Sequence, residues 1–304
     1  MTSDPASPAF FASPAFKVAF WMAVSAVSFG TLMGLVRHVG QDLPIFVISF
    51  WRFVFSLALF TPWFLRVGMA GLKSERNGLH IIRACFLIVA SVSLMQAAML
   101  MPLDELTALS FTTPLFTVIG AILFLREKAG IRRWAALLIG FAGMLIILRP
   151  GVEMVNWAAL LVLISAVTFA GVVLCGKVLV RTDSPELLVV SLALIAVPFS
   201  FGPALYVWQW PTPEHFGWLV LIAFCSNANM YGIAKALANG DATATQPYDF
   251  LRLPATAGVG WLAFGETSDI YTWVGAGVIF ASTVFITHRE AMAKRKQLAA
   301  QRLD

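Results

Sequence analysis

Two stretches of the sequence, SAVSFGTLMGLVR at residues 25–37 and SAVTFAGVVLCGK at residues 165–177, share one pattern at an offset of 140 residues. A second match, at an offset of 139, pairs Glu127 with Glu266 in similar surroundings. Chance similarity between apolar segments explains this poorly, because the offset is nearly constant along the chain. The sequence therefore indicates a duplicated unit.

The composition shows what kind of unit is repeated. Of 304 residues, 59% are hydrophobic and 12% are charged, and the mean hydropathy is +0.82. Soluble domains carry roughly 25% charged residues. The chain also consists of apolar runs of about 20 residues, the length that crosses a bilayer. We expect ten spans, at about 17–37, 45–66, 79–100, 105–125, 131–149, 156–178, 186–206, 214–237, 243–265 and 270–288.

Each repeat therefore holds five spans, and an odd number makes the second copy enter the membrane from the opposite side. The predicted fold is an all-α polytopic membrane protein with ten transmembrane helices in two inverted five-helix repeats. The expected organisation is a disordered tail, a first repeat, a second repeat and a basic cytoplasmic tail, at residues 1–16, 17–149, 150–288 and 289–304.

The positive charges predict the orientation. With the N-terminus inside, only Arg37 and Arg149 fall on the outer side, so both termini are expected in the cytoplasm. The cytoplasmic side then holds Lys17, Arg66, Lys73, Arg76, Arg126, Lys128, Arg132, Arg133, Lys177, Arg181, Arg289, Lys294, Arg295, Lys296 and Arg302. Anionic lipid explains these charges without a nucleic-acid partner. The histidines are scattered at span ends, so we expect no metal site and no cofactor.

Several motifs resemble those of the drug/metabolite transporter superfamily, and within it the EamA-type ten-helix carriers. They are SFWRFVFSLALFTP, ALSFTTPLFTVIGAILFLREK, RRWAALLIGFAGMLIILRPG and ANGDATATQPYDFLRLPATAGVGWLAFGETSD. The stretch DATATQPYDFLRL is also similar to that of S-adenosylmethionine uptake transporters. The resemblance implies a bacterial inner-membrane carrier of a small-molecule substrate, with the ninth span at its central cavity. A homodimer is a candidate assembly.

Charged side chains inside the membrane cost roughly 2.5–3.5 kcal/mol each, so they normally face a cavity or one another. Asp249 and Arg252 share a helix face, either as a cavity lining or as a structural ion pair. Arg52 needs a partner, which we expect to be Asp249, a backbone carbonyl or an anionic substrate group. The candidate substrate-binding residues are Trp51, Arg52, Asn227, Tyr231, Gln246, Tyr248, Asp249 and Arg252.

Other polar groups have more local explanations. Asp249 is the candidate proton carrier for coupling. Glu127 and Glu266 follow equivalent spans and are candidates for interfacial capping or for a gate. Arg83 is expected to extend to the lipid headgroups. Gly30 and Gly34, spaced GxxxG, predict a close helix contact.

Three functions compete at this point. The first is a secondary transporter that moves a small organic metabolite, zwitterionic or heterocyclic, by alternating access. The second is a flippase of a lipid-linked intermediate, which needs a lateral opening and a basic headgroup pocket. The third is an intramembrane enzyme, which needs clustered His, Asp or Glu residues. The span interiors supply one acid, Asp249, and no histidine, so a catalytic site is not expected.

Overall fold

The computed structural model describes residues 14–59, 74–124, 131–148, 157–179, 185–239 and 251–282, with the single residues 61, 65, 68, 182 and 183. Apart from single helical residues, these ranges form eleven helices and no strand. They are α1 (Pro14–Val39), α2 (Ile45–Leu59), α3 (Asn77–Leu100), α4 (Leu103–Ser110), α5 (Thr113–Phe124), α6 (Ile131–Leu148), α7 (Trp157–Leu179), α8 (Pro185–Tyr206), α9 (Pro213–Asn239), α10 (Arg252–Phe264) and α11 (Ile270–Ser282).

The helices correspond to the ten predicted spans. Within the described residues, five segments are long and apolar enough to cross a membrane, namely Phe16–Val39, Asn77–Leu100, Leu103–Phe124, Trp157–Gly176 and Pro213–Ile233. Four more apolar helices are shorter, and α10 is the described part of the ninth span. Large apolar side chains such as Phe124 and Leu262 point outward, as expected for surfaces that face lipid.

The fourth span differs from the prediction because it is broken into α4 and α5 at residues 111–112. Pro114 has no backbone N–H and cannot bond the carbonyl of Ser110, one turn earlier. The hydroxyl of Thr113 donates to that carbonyl instead, at 2.8 Å. A polar backbone group freed inside the membrane is thereby satisfied by a side chain of the same segment.

The helix packing follows the inverted repeat. The most extensive contacts are those of α1 with α9 and of α3 with α7, and the repeat symmetry exchanges these two pairs. In the same way, the contact of α1 with α10 matches that of α7 with α4 and α5. The contacts of α2 with α8 and of α4 with α10 map onto themselves. The predicted fold class is confirmed.

Small residues allow the closest approaches between the halves. A Cβ atom at Gly30 would lie 3.1 Å from the carbonyl oxygen of Ala255, and one at Gly34 would lie 2.7 Å from Val259. The GxxxG prediction is therefore confirmed, with α10 as the partner helix. A Cβ at Gly232 of α9 would lie 2.8 Å from the carbonyl oxygen of Trp21, so the close contact of α1 with α9 also needs a glycine.

Candidate functional site

A partly buried arginine, Arg52, lies where α2 packs against α9 of the other repeat. Nη1 of Arg52 donates to Oγ of Ser226 at 3.3 Å, and its guanidinium carbon lies 4.3 Å from the ring centroid of Phe53. Within the described part of the chain, its Nε and Nη2 have no hydrogen-bond acceptor. The sequence prediction named Asp249, a backbone carbonyl or an anionic substrate group as the partner of Arg52, and it did not include this hydroxyl.

More unused polar groups lie on the same two helices. Among the described residues, Oγ of Ser49, Nε1 of Trp51 and Nδ2 of Asn227 are buried without a hydrogen-bond partner. Ser49 precedes Arg52 by one helical turn, and Asn227 follows Ser226 directly. Unpaired buried donors are costly, so these groups are candidates for binding a molecule that carries hydrogen-bond acceptors.

Aromatic rings border this region. The ring of Trp51 lies 5.5 Å from Phe55, 4.9 Å from Phe216 and 6.4 Å from Trp208, measured between centroids. These rings come from α2, from the start of α9 and from the connection before it. Together with the unused donors of Ser49, Trp51, Arg52 and Asn227, they form what we call the Arg52 site. Aromatic rings and hydrogen-bond donors on the same helices suit a flat ligand with polar edges.

The other sequence candidates lie elsewhere or outside the described residues. Arg252 is the first residue of α10, and its guanidinium carbon lies 5.2 Å from the ring centroid of Phe29 on α1. Tyr231 packs edge-on against Trp21, with centroids 5.6 Å apart, and the Lys235 ammonium lies 5.3 Å from its ring. The remaining candidates, Glu127, Gln246, Tyr248 and Asp249, lie outside the described residues.

Glu266 binds two parts of the opposite repeat. Its carboxylate forms an ion pair with Arg37 at the end of α1 and accepts the backbone N–H of Leu103 at 3.0 Å. That N–H belongs to the first turn of α4, where a negative charge is favourable. Glu266 is thus both a cap and a bridge between the repeats, at the face where α1 ends. The contact with Leu103 is a cap of the kind expected, whereas a role as a gate stays a prediction.

The glycines near Glu266 allow its side chain to reach these partners. Gly265 ends α10 in the left-handed conformation at φ 67°, which glycine adopts without strain. The N–H of Glu266 then bonds the carbonyl of Gly260 at 3.1 Å and closes the turn. A Cβ atom at Gly260 would lie 2.5 Å from Oε2 of Glu266, so this position must also be small.

The opposite face holds a buried cluster that the sequence interpretation missed. Nε2 of His80 lies 2.7 Å from Oδ2 of Asp183, which also accepts the hydroxyl of Ser74 at 2.7 Å. Nδ1 of His80 lies 2.8 Å from Oγ of Ser191. The side chains of His80 and Asp183 are 3% and 4% exposed, so this is a buried pair. We call Ser74, His80, Asp183 and Ser191 the His80 cluster.

Asp183 lies in the connection between α7 and α8, outside the spans. Burial alone would raise its pKa, but hydrogen bonds from Ser74, His80 and Thr182 and the charge interaction with His80 hold that pKa below its ordinary value. A carboxyl with a lowered pKa stabilises the folded state above its ordinary pKa, and this stabilisation is lost on acidification through the lowered value. Asp183 is therefore ionised throughout the neutral range.

Two further results correct the sequence interpretation. Arg83 does not extend to the headgroups, because its Nε and Nη1 donate to the carbonyls of Val172 and Leu188 at 3.3 and 3.0 Å. It ties α3 to α7 and α8. Asp104, at the start of α4, is a second buried acid, and its Oδ2 has no partner among the described residues. Periodicity alone does not show which face of an apolar helix is buried, so neither role was visible in the sequence.

Two inverted repeats of five helices are the architecture of many α-helical secondary transporters. The EamA-like transporter family matches the chain twice, over residues 16–149 and 156–288. The chain therefore belongs to this family, and the two matches coincide with the two repeats.

Curated relatives and one solved structure agree with this assignment. The chain is 34% identical to a riboflavin transporter of Vibrio cholerae, over 92% of this chain and 95% of that protein. It is 30% identical to an S-adenosylmethionine uptake transporter of Rickettsia bellii, over 91% and 96%. A solved structure described as "Crystal structure of protein" matches with a TM-score of 0.61 at 15% identity, over 90% of this chain and 98% of that one, which shows the fold alone.

These findings confirm the prediction of a multi-pass inner-membrane transporter for a small organic metabolite. The family resemblance drawn from the sequence motifs is confirmed as well.

Proposed function

We propose that this transporter carries a flat heterocycle that is rich in hydrogen-bond acceptors, as a flavin is. The observation that carries the proposal is Arg52, whose Nε and Nη2 are buried without an acceptor in the described part of the chain. A carbonyl-bearing ring edge supplies two acceptors in one plane, which is the geometry that a guanidinium binds best.

The other groups of the Arg52 site support the same substrate class. The additional unused groups on Ser49, Trp51 and Asn227 can all donate hydrogen bonds to ring carbonyls, ring nitrogens or hydroxyls. The neighbouring indole and phenyl rings suit the apolar faces of a fused ring system. The riboflavin transporter of Vibrio cholerae, with 34% identity to this chain, is the relative whose named substrate fits these groups best.

S-adenosylmethionine is the second candidate. It is favoured by the relatives named as its uptake transporters and by the DATATQPYDFLRL stretch. Its sulfonium and ammonium groups need a carboxylate or aromatic faces, whereas the Arg52 site offers a cation and several donors. Asp249, the candidate coupling residue, would be the carboxylate in that case.

Uptake into proteoliposomes separates the two candidates. We expect saturable accumulation of riboflavin, and no inhibition of it by an excess of S-adenosylmethionine, because the Arg52 site repels positive charge. The measurement is radiolabelled riboflavin inside vesicles, with empty liposomes as the control. Accumulation of S-adenosylmethionine without any competition from riboflavin would contradict the proposal.

We also propose that both termini lie in the cytoplasm, which places Glu266 on the outer face and His80 on the inner face. The distribution of Lys and Arg over the connections supports this orientation. A reporter that is active only outside the cytoplasm, fused after Asp304, is expected to stay silent, while the same reporter fused in the connection after Arg149 is expected to be active. The reverse pattern would overturn the orientation.

A further inference from the structure

The His80 cluster joins three separate parts of the chain. His80 lies in the first turn of α3, Asp183 in the connection between α7 and α8, and Ser191 in α8. The first belongs to one repeat and the other two belong to the second repeat. Any movement that separates the repeats at this face therefore breaks these hydrogen bonds.

The hydrogen bonds of His80 persist when the ring gains a proton. In the neutral ring, Nε2–H donates to Asp183 and the hydroxyl of Ser191 donates to Nδ1. In the protonated ring, Nδ1–H donates to Oγ of Ser191, and the hydroxyl proton turns to the carbonyl of Leu188 at 3.3 Å. The protonated form then gains an ion pair with Asp183 and loses no hydrogen bond.

Among the residues that the structure describes around this cluster, Asp183 is the charge that faces His80. On α3, Arg83 is bound to carbonyls of α7 and α8, and Glu75 and Arg76 are exposed at the helix start. On α7, the thiol of Cys175 interacts with Arg83. A cavity of about 250 Å³, lined in part by Ser74, His80 and Ser191, lies beside the ring. That volume admits the water that carries a proton.

The repeat symmetry supplies an internal comparison at the opposite face. His215 in the first turn of α9 faces Asp42 in the connection between α1 and α2, with Nε2 and Oδ2 3.5 Å apart. Its Nδ1 accepts the backbone N–H of Thr212 at 3.2 Å, a donor that cannot reverse. Oγ1 of Thr212 also lies 3.1 Å from Nδ1, and the side chains of His215 and Asp42 are 18% and 65% exposed. This symmetry-related pair is therefore longer and more exposed than the pair of His80 and Asp183.

We propose that the His80 cluster is a proton-binding latch, in which protonation of His80 adds an ion pair with Asp183 that strengthens the contact between the repeats at this face, and loss of the proton weakens that contact. Histidine is the side chain whose charge ordinarily changes between about pH 5 and 8. The latch concerns the transport cycle and does not depend on which metabolite is carried. Its tests are therefore independent of those of the proposed substrate.

The first test measures proton binding directly. A full-length chain with His38, His215 and His288 each changed to glutamine keeps His80 as its only histidine. With ¹³C-labelled histidine in lipid nanodiscs, measured from about pH 5 to about pH 8, we expect one ring resonance whose position depends on pH. The Asp183→Asn change is expected to move that transition to lower pH, because the charge that favours the proton is removed. A resonance that stays constant over this range would overturn the proposal.

The second test measures the latch. Nitroxide labels on Asn77→Cys and Thr182→Cys, in a chain whose three native cysteines are replaced by alanine, report the separation across this face. Between about pH 8 and about pH 5.5, we expect the ratio of the short-distance population to the long-distance population to rise on the order of fivefold. This dependence should vanish in His80→Gln and persist in the matched control His215→Gln. A pH dependence that survives in His80→Gln, or that His215→Gln removes, would refute the latch.

Discussion

Replacement of Arg52 by glutamine is expected to lower kcat/KM for uptake by about 100-fold or more. Two charge-assisted hydrogen bonds to the substrate are lost, and each contributes roughly 1.5–3 kcal/mol. The protein should remain folded, since in the described structure Arg52 makes one hydrogen bond, to Ser226, and leaves Nε and Nη2 unused. Initial uptake rates in proteoliposomes, with matched amounts of inserted protein, measure the effect.

The matched control is Arg76→Gln, which removes the same charge from an exposed position at the start of α3. Its uptake should equal that of the unchanged chain. Ligand protection gives a second measurement, because substrate should raise the thermal unfolding temperature of the unchanged chain and not that of Arg52→Gln. If Arg52→Gln instead unfolds the protein, the arginine is a tie between α2 and α9, and the binding site must be sought elsewhere.

Replacement of Glu266 by alanine is expected to destabilise the folded protein by about 3 kcal/mol. The change leaves Arg37 without its carboxylate and the N–H of Leu103 without its acceptor. The side chains of Arg37 and Glu266 are only 23% and 14% exposed, so water replaces these contacts poorly. Glu266→Gln should cost less, because the amide oxygen still accepts from Leu103. Thermal unfolding in nanodiscs measures both variants.

Glu75→Ala removes an exposed acid near the other face and serves as the control, with an unfolding temperature that is expected not to change. If the pair of Arg37 and Glu266 acts as a gate, a further result is expected. Arg37→Ala should destabilise by a similar amount, and the double variant should cost clearly less than the sum of the two single changes. Additive losses would show that the pair does not link the repeats energetically.

The fold was predictable because it depends on patterns that lie within one stretch of sequence. Hydropathy and breakers indicate the spans, the near-constant offset indicates the duplication, and the odd number of spans indicates the inversion. The spacing of Gly30 and Gly34 predicts a close contact, since that signal is confined to one helix. The break between α4 and α5 was not predicted, although Pro114, which lacks a backbone N–H, explains it.

The polar contacts were less predictable because their partners are far apart in the sequence. Arg52 and Ser226 are separated by 174 residues, and Arg37 and Glu266 by 229. His80 was interpreted as a residue at a span end, yet the two repeats hold matching histidines and aspartates in His80 with Asp183 and His215 with Asp42. That correspondence was present in the sequence and could have indicated the cluster.

The exchanged helix contacts also describe what one half of the chain would be on its own. α1 packs mainly on α9 and α10, and α3 packs mainly on α7 and α8, so each half buries its first and third helices chiefly against the other. A single half would leave glycine-lined faces and buried polar groups such as Asn229, bound to Ser25 at 2.9 Å, open to lipid. The molecule is in this sense an antiparallel dimer fused into one polypeptide, and its smallest folding unit is the pair.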